Sequence, residues 1–163
     1  GPSGPNAQIC ISVFGGSIVP DQPRVMVMLS KANYTCELVR ECHTLTVTML
    51  SEGQLGLFEP LGLKSGRDGN KLGGLDFELT ANADPIFTGG VGWLECEVLE
   101  EQDLGDAITF LCAIRKQHQD PAAGVSMSWA SARPGVPEEL MQRYLEKNKH
   151  DQDVARGRMV WKG

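Results

Sequence analysis

A chain of 163 residues is one domain's worth, and long enough to bury a core without cross-links. With 41% hydrophobic and 22% charged residues it has the composition of a folded domain and not of a disordered segment. Fifteen Lys and Arg against 21 Asp and Glu give a net charge of −6, which makes nucleic acid and anionic membrane surfaces poor partners.

The five cysteines are Cys10, Cys36, Cys42, Cys96 and Cys112. Their number is odd and none forms a C-x-x-C pair. This argues against a disulfide framework and a zinc knuckle, and for free thiols in a reducing, cytoplasmic compartment. No apolar run is long enough to span a bilayer, and no signal peptide is expected. The whole of 1–163 reads as a single domain, with 1–6 a loop or an expression remnant.

In chain order, Ile9 to Phe14 is β-branched and partly alternating, and predicts a strand. Gly15-Gly16 breaks it and Pro20 to Pro23 makes a turn. Val25 to Leu29 is near-continuously apolar, the pattern of a strand buried on both faces. Asn33 is placed to cap a short helix over Tyr34 to Glu41. Leu45 to Leu50 alternates Thr with apolar residues and predicts a strand. Gly53 to Leu61 predicts a second short helix ending near Pro60, and Leu63 to Gly74 a loop. Leu75 to Leu79 alternates again, Asp84-Pro85 is a turn, and Gly89-Gly90 another. Gly92 to Leu99 and Ala107 to Ile114, joined by a turn at Asp103 to Asp106, form the clearest hairpin. Beyond Pro121 lies a C-terminal extension, 121–163. In it Met127 to Ala130 predicts a last strand. Residues 137–151 predict a helix opened by Pro137, with Glu138 and Glu139 at its positive end. Leu140, Tyr144, Met141 and Leu145 supply its apolar stripe. The fold class is therefore mainly β: a barrel or sandwich with helices at its ends.

Several signatures are missing. The loop Ser65 to Lys71 lacks the Gly-Lys-Ser/Thr of a phosphate loop, and no strand enters a G-x-G-x-x-G. His43 and His150 have no further ligands at supporting spacings, so no metal is expected. What remains is Ser30-Lys31-Ala32-Asn33-Tyr34-Thr35 at a helix entrance. Hydroxyls, one lysine and free helix N–H groups make a phosphate cradle there, or a simple cap.

The stretch Ala7 to Val39 (AQICISVFGGSIVPDQPRVMVMLSKANYTCELV) resembles the opening of the flavin reductase family, the FMN-binding split barrels. The likeness continues in Leu45 to Leu50, in Ser65 to Glu78 and in Gly92 to Ile114, covering about two-thirds of the chain. The resemblance implies a split β-barrel of Greek-key type. It implies FMN, with FAD as the alternative, and NAD(P)H as the reductant. Hydride would pass from NAD(P)H to the flavin and on to an acceptor. Related barrels are usually homodimers.

Carried over by position, the backbone of Gln8, Ile9, Cys10, Ile11 and Ser12 would run along the isoalloxazine edge. Ser17 would lie near the ribityl chain or phosphate. Lys31, Asn33 and Thr35 would hold the phosphate, and Lys71 would stand in the flavin neighbourhood. No side-chain acid or base is assigned. Three departures accompany the likeness. The chain begins about one strand late for the family. Ala107 follows Gly105-Asp106 where many members carry a His near the nicotinamide. The tail from His150 to Trp161 matches no segment with a known role. These departures sustain an alternative: a non-catalytic flavin-binding or electron-transfer subunit.

Overall fold

The computed structural model describes residues 4–159. Residues 1–3 and 160–163, which include part of the predicted N-terminal loop and the end of the tail, lie outside that range.

Five antiparallel strands form one curled sheet in the order β1-β2-β7-β6-β3. They are β1 (Val13–Gly15), β2 (Arg24–Ser30), β3 (Thr44–Met49), β6 (Gly92–Asp103) and β7 (Ala107–Gln119). The β6–β7 hairpin inserts between β2 and β3, which is the Greek-key order. A second, two-stranded sheet pairs β4 (Phe77–Leu79) with β5 (Pro85–Phe87). The helices are α1 (Tyr34–Cys42), α2 (Phe58–Gly62), α3 (Trp129–Ala132) and α4 (Glu138–Arg158), with a 3-10 turn at Glu52–Leu57 before α2.

The core follows from strand alternation. Val25, Val27 and Leu29 of β2 point inward with Ile108, Phe110 and Cys112 of β7, and α1 closes over them with Cys36 and Val39. Phe110 and Cys112 are wholly buried. Cys10, Cys36, Cys42, Cys96 and Cys112 are all free thiols. Burial pushes the Cys36 and Cys112 thiols up to about 11 and Cys96 up to about 12. They act as small hydrophobes.

The sequence reading departs from the structure at several places, each for a local reason. The first strand is shorter than Ile9 to Phe14, because only from Val13 does the chain pair with β2. Upstream it stays extended, tied by the Met28 N–H to Ser12 O (3.0 Å) and the Ile9 N–H to Leu61 O (3.4 Å). Strand β2 is not buried on both faces: Met26 and Met28 are half-buried, since the second face is only partly covered. Pro60 does not end its helix; it stands in the first turn of α2, where a missing N–H costs nothing. The turn expected at Asp84-Pro85 lies earlier, where the Thr80 hydroxyl accepts from the Asn82 and Asp84 N–H groups, and Pro85 opens the buried β5. Met127 to Ala130 is not a strand. After one bridge, Ser51 to Ser126, Ser128 and Ser131 cap each other and start α3.

The C-terminal helix runs past Asp151 to Arg158. Its half-buried residues recur at helical spacing, as Leu140 and Met141, Tyr144, Lys147, Asp151 and Val154. Leu145 is exposed. That stripe is half polar, which is unusual for a helix packed on a core. No residue of α4 is fully buried.

Candidate functional site

Two concavities share a wall made by the N-terminal segment. The first is an apolar cavity of about 460 Å³, bounded by the segment Asn6 to Ile11, by β3 and by α3. Its main ionisable group is Asp84, whose carboxyl is raised by burial. The second is a groove of about 600 Å³ between the N-terminal end of α1, the loop Leu63–Asp68 with Lys71, and α4.

The groove gathers six of the ten residues singled out from sequence: Gln8, Ile9, Ile11, Asn33, Thr35 and Lys71. Gln8 lines both concavities, and its Oε1 is buried without a hydrogen-bond partner. A buried acceptor without a donor costs about 1–3 kcal/mol, and Gln8 Oε1 is one of four unpartnered buried side-chain atoms among the described residues, with Asn6 Oδ1, Arg24 Nε and Thr44 Oγ1. Asn33 is the N-cap of α1, yet its side chain makes no capping hydrogen bond and is left to serve the groove. The Thr35 hydroxyl accepts from Asn6 Nδ2 at 2.7 Å and retains its own proton to donate.

Lys71 is half-buried and donates to Lys64 O at 3.1 Å. Among the described residues it pairs with no carboxylate. Burial, reinforced by Lys147 across the groove, lowers its ammonium to about 8. Three neighbouring cations are already matched, Arg67 to Glu37, Arg143 to Glu59 and Lys147 to Asp151, while the exposed Lys64 has no ion pair among the described residues.

Four predicted residues lie elsewhere. Cys10 faces the apolar cavity and its Sγ lies 3.6 Å from Met28 O. Ser12 contributes its carbonyl to the sheet, as described. Ser17 sits in the β1–β2 turn with its Oγ 3.4 Å from Arg24 Nη2. Lys31 points away from the groove and pairs with Asp103 at 2.6 Å.

Sequence reasoning overlooked other parts of the groove. Arg67 lies 5.2 Å over the Tyr34 ring and donates to Ala32 O at 3.0 Å, pinning the loop to the start of α1. Gly66 fits there because a Cβ would stand 2.5 Å from Asn6 Oδ1. Phe58, Trp129 and Tyr144 form a triangle with ring centroids 5.5 to 5.7 Å apart, which joins α2, α3 and α4 at the groove wall. The one signal for Arg67 was its place in the same polar loop as Lys71. Nothing in the sequence signalled that Trp129 and Tyr144 would meet.

Comparison with known proteins settles the family. The model of the flavin reductase like domain matches residues 1–133. The chain belongs to the flavin reductase like family. A flavin reductase of Pseudomonas putida is 25% identical over 115 residues, 71% of this chain and 65% of the relative. A high molecular weight rubredoxin of Moorella thermoacetica is 28% identical over 108 residues, 65% of this chain. The chain thus spans under two-thirds of the first relative's length and 46% of the second's. Among solved structures, an FMN-binding protein of Thermus thermophilus with bound p-hydroxybenzaldehyde superposes with a TM-score of 0.66 at 25% identity, over 74% of this chain and 68% of that one. An NADH:FAD oxidoreductase of Streptomyces globisporus shares the fold, with a TM-score of 0.65 at 22% identity, over 71% of this chain and 68% of that one.

The flavin reductase like match stops at residue 133, so α4 lies wholly beyond it. The groove is therefore built from two sources: a family barrel that supplies Gln8, Asn33, Thr35 and Lys71, and an added helix that supplies Arg143, Tyr144, Lys147 and His150. Among the described residues, no helix is long and apolar enough to cross a membrane.

Proposed function

We propose that the groove binds a flavin and that the protein is a flavin-dependent NAD(P)H oxidoreductase of the flavin reductase kind. The observation that carries this reading is the union, in one groove, of an amide oxygen and a half-buried lysine that have no hydrogen-bonding donor and no carboxylate partner, respectively, among the described residues. The first is Gln8 Oε1 and the second is Lys71. A flavin nucleotide needs both a donor–acceptor edge for its ring and a cation for its phosphate. The residues present fit that group.

Gln8, Ile9 and Ile11 would face the isoalloxazine, with the half-buried N-terminal segment offering its backbone groups to the polar ring edge. Asn33 and Thr35 would hold the phosphate from the α1 side and Lys71 from the loop side. FMN suits one anionic cluster, and FAD is the alternative. The bound flavin would accept hydride from NAD(P)H and pass electrons onward. The chain's own residues bind, orient and exclude water. Lys31 is left out of the phosphate site by its place outside the groove, where it pairs with Asp103, and Ser17 by its place in the β1–β2 turn.

A homodimer is part of this proposal, supported by the exposure of Ile11, Phe14 and Ile18 along one stretch of chain. A cytoplasmic setting is supported by the five free thiols. A single domain over 1–163, with 121–163 as a C-terminal extension that carries α4, is likewise proposed.

The protein should take up FMN, give a flavin absorption band, and lose that band on mixing with NADH or NADPH. A colourless protein that ignores added FMN would refute the binding reading. Bound flavin that neither nucleotide bleaches would favour the second reading, an electron-transfer subunit. The likeness to a high molecular weight rubredoxin and Ala107 after Gly105-Asp106 support that reading.

A further inference from the structure

Lys71 and Lys147 face the same groove from opposite walls, one on the barrel loop and one on α4. Like charges so placed repel, and Lys147 is a cause of the depressed ammonium of Lys71. Lys147 is held in check by Asp151, one turn further along α4. Around them stand Lys64, Arg67 and Asp68 on the loop, and Arg143 and His150 on α4. Of these, Arg67 and Arg143 are paired outside the lysine couple. The helix itself is weakly fastened. It has no fully buried residue, and its contacts to the barrel include the Tyr144 corner of the aromatic triangle, the Arg143–Glu59 pair and an Arg158 donation to Lys31 O.

We propose that α4 is a phosphate-latched strap. Lys147, carried on a helix outside the family region, joins Lys71 to grip one phosphoryl group between helix and loop, and this grip selects phosphorylated ligands and fastens α4 over the groove. The inference rests on the flavin reading for the ligand's ring, but the latch itself needs only a phosphoryl group, from a phosphomonoester or a diphosphate. Without an anion the two ammonium groups repel across the groove, an effect damped by Asp151, and α4 is held there by its other contacts. With an anion between them the same two charges pull helix and loop together.

The test combines binding and amide hydrogen exchange on the full chain. Riboflavin, FMN, FAD and inorganic phosphate are each added to wild type, Lys147→Gln and Asp151→Asn. Wild type is expected to prefer FMN to riboflavin, and FMN to slow exchange along α4 where riboflavin does not. Lys147→Gln should weaken FMN about tenfold, the usual worth of one charge-assisted bond, and leave riboflavin unchanged. Asp151→Asn frees Lys147 and should tighten FMN. Stronger latching by FAD than by FMN would name a diphosphate as the gripped group. Equal FMN binding in wild type and Lys147→Gln, or α4 exchange indifferent to FMN, overturns the proposal. If wild type binds no flavin, the flavin reading fails by itself. The latch then stands only if inorganic phosphate slows α4 exchange in wild type and not in Lys147→Gln, and falls if it does not.

Discussion

Flavin affinity should depend on pH through Lys71. Its ammonium is lowered to about 8 in the free protein, by burial first and by Lys147 second. A phosphate in the groove favours the charged form, so ligand binding requires Lys71 protonated. At pH 7 most molecules carry that proton. At pH 9 about one in eleven does, and FMN affinity should fall about tenfold, since one pH unit beyond a pKa is a factor of ten. The phosphate's own second ionisation lies near pH 6 and is complete across this window. Riboflavin, which lacks the phosphate, should bind equally at pH 7 and pH 9. Quenching of flavin fluorescence at the two pH values measures both, and Lys71→Met should remove the FMN pH dependence. Parallel loss of FMN and riboflavin affinity, or a flat FMN profile, would refute the role given to Lys71. Folding provides a second sign. The unfolded chain binds the Lys71 proton up to about 10.5 and the folded one only to about 8, so this group makes stability rise with pH between those values.

Lys31→Ala should leave FMN affinity unchanged and the melting temperature nearly so, because the Lys31–Asp103 pair is a partly exposed ion pair away from the groove; a tenfold loss of FMN binding would reinstate it as a phosphate ligand. Gly66→Ala should weaken FMN and loosen the 63–71 loop, since its Cβ collides with Asn6 Oδ1 and crowds Tyr34, and unchanged binding would contradict that geometry. Phe110→Ala should cost about 3–5 kcal/mol in urea unfolding, the usual cost of emptying a wholly buried aromatic site. Cys36, Cys96 and Cys112 should resist iodoacetamide at pH 8 in the native protein and react on unfolding. Their raised thiols contribute stability below about pH 9 that is lost progressively as pH climbs beyond it.

Much of the barrel was readable because alternation and turn chemistry are local. Val25 to Leu29 and the Gly92 to Ile114 hairpin fell where side-chain pattern put them, and the Gly105 turn with its positive φ lies between β6 and β7. Ser128 shows the limit. Its neighbours Met127, Trp129 and Ala130 look strand-like, but a reciprocal serine cap outweighs that preference. For the candidate groove, the resemblance pointed by chain position to Asn33, Thr35 and Gln8, which line it. It could not foresee that Lys31 would find Asp103, 72 residues away, before any ligand. Nor could it foresee that a helix beyond the family region would bring Lys147 to Lys71. Contacts between distant segments leave no period in the sequence.

The half-polar inward stripe of α4 bears on how long a ligand stays. A helix without a fully buried residue belongs to the least stable part of a fold and opens without unfolding the rest. If α4 covers a ligand bound in the groove, exit would need that opening as well as the breaking of the contacts at Gln8 and Asn33. A flavin under this helix would pass from resident cofactor to exchanging substrate by a change in the fastening of α4 alone. The distinction would be written in residence time and not in the barrel.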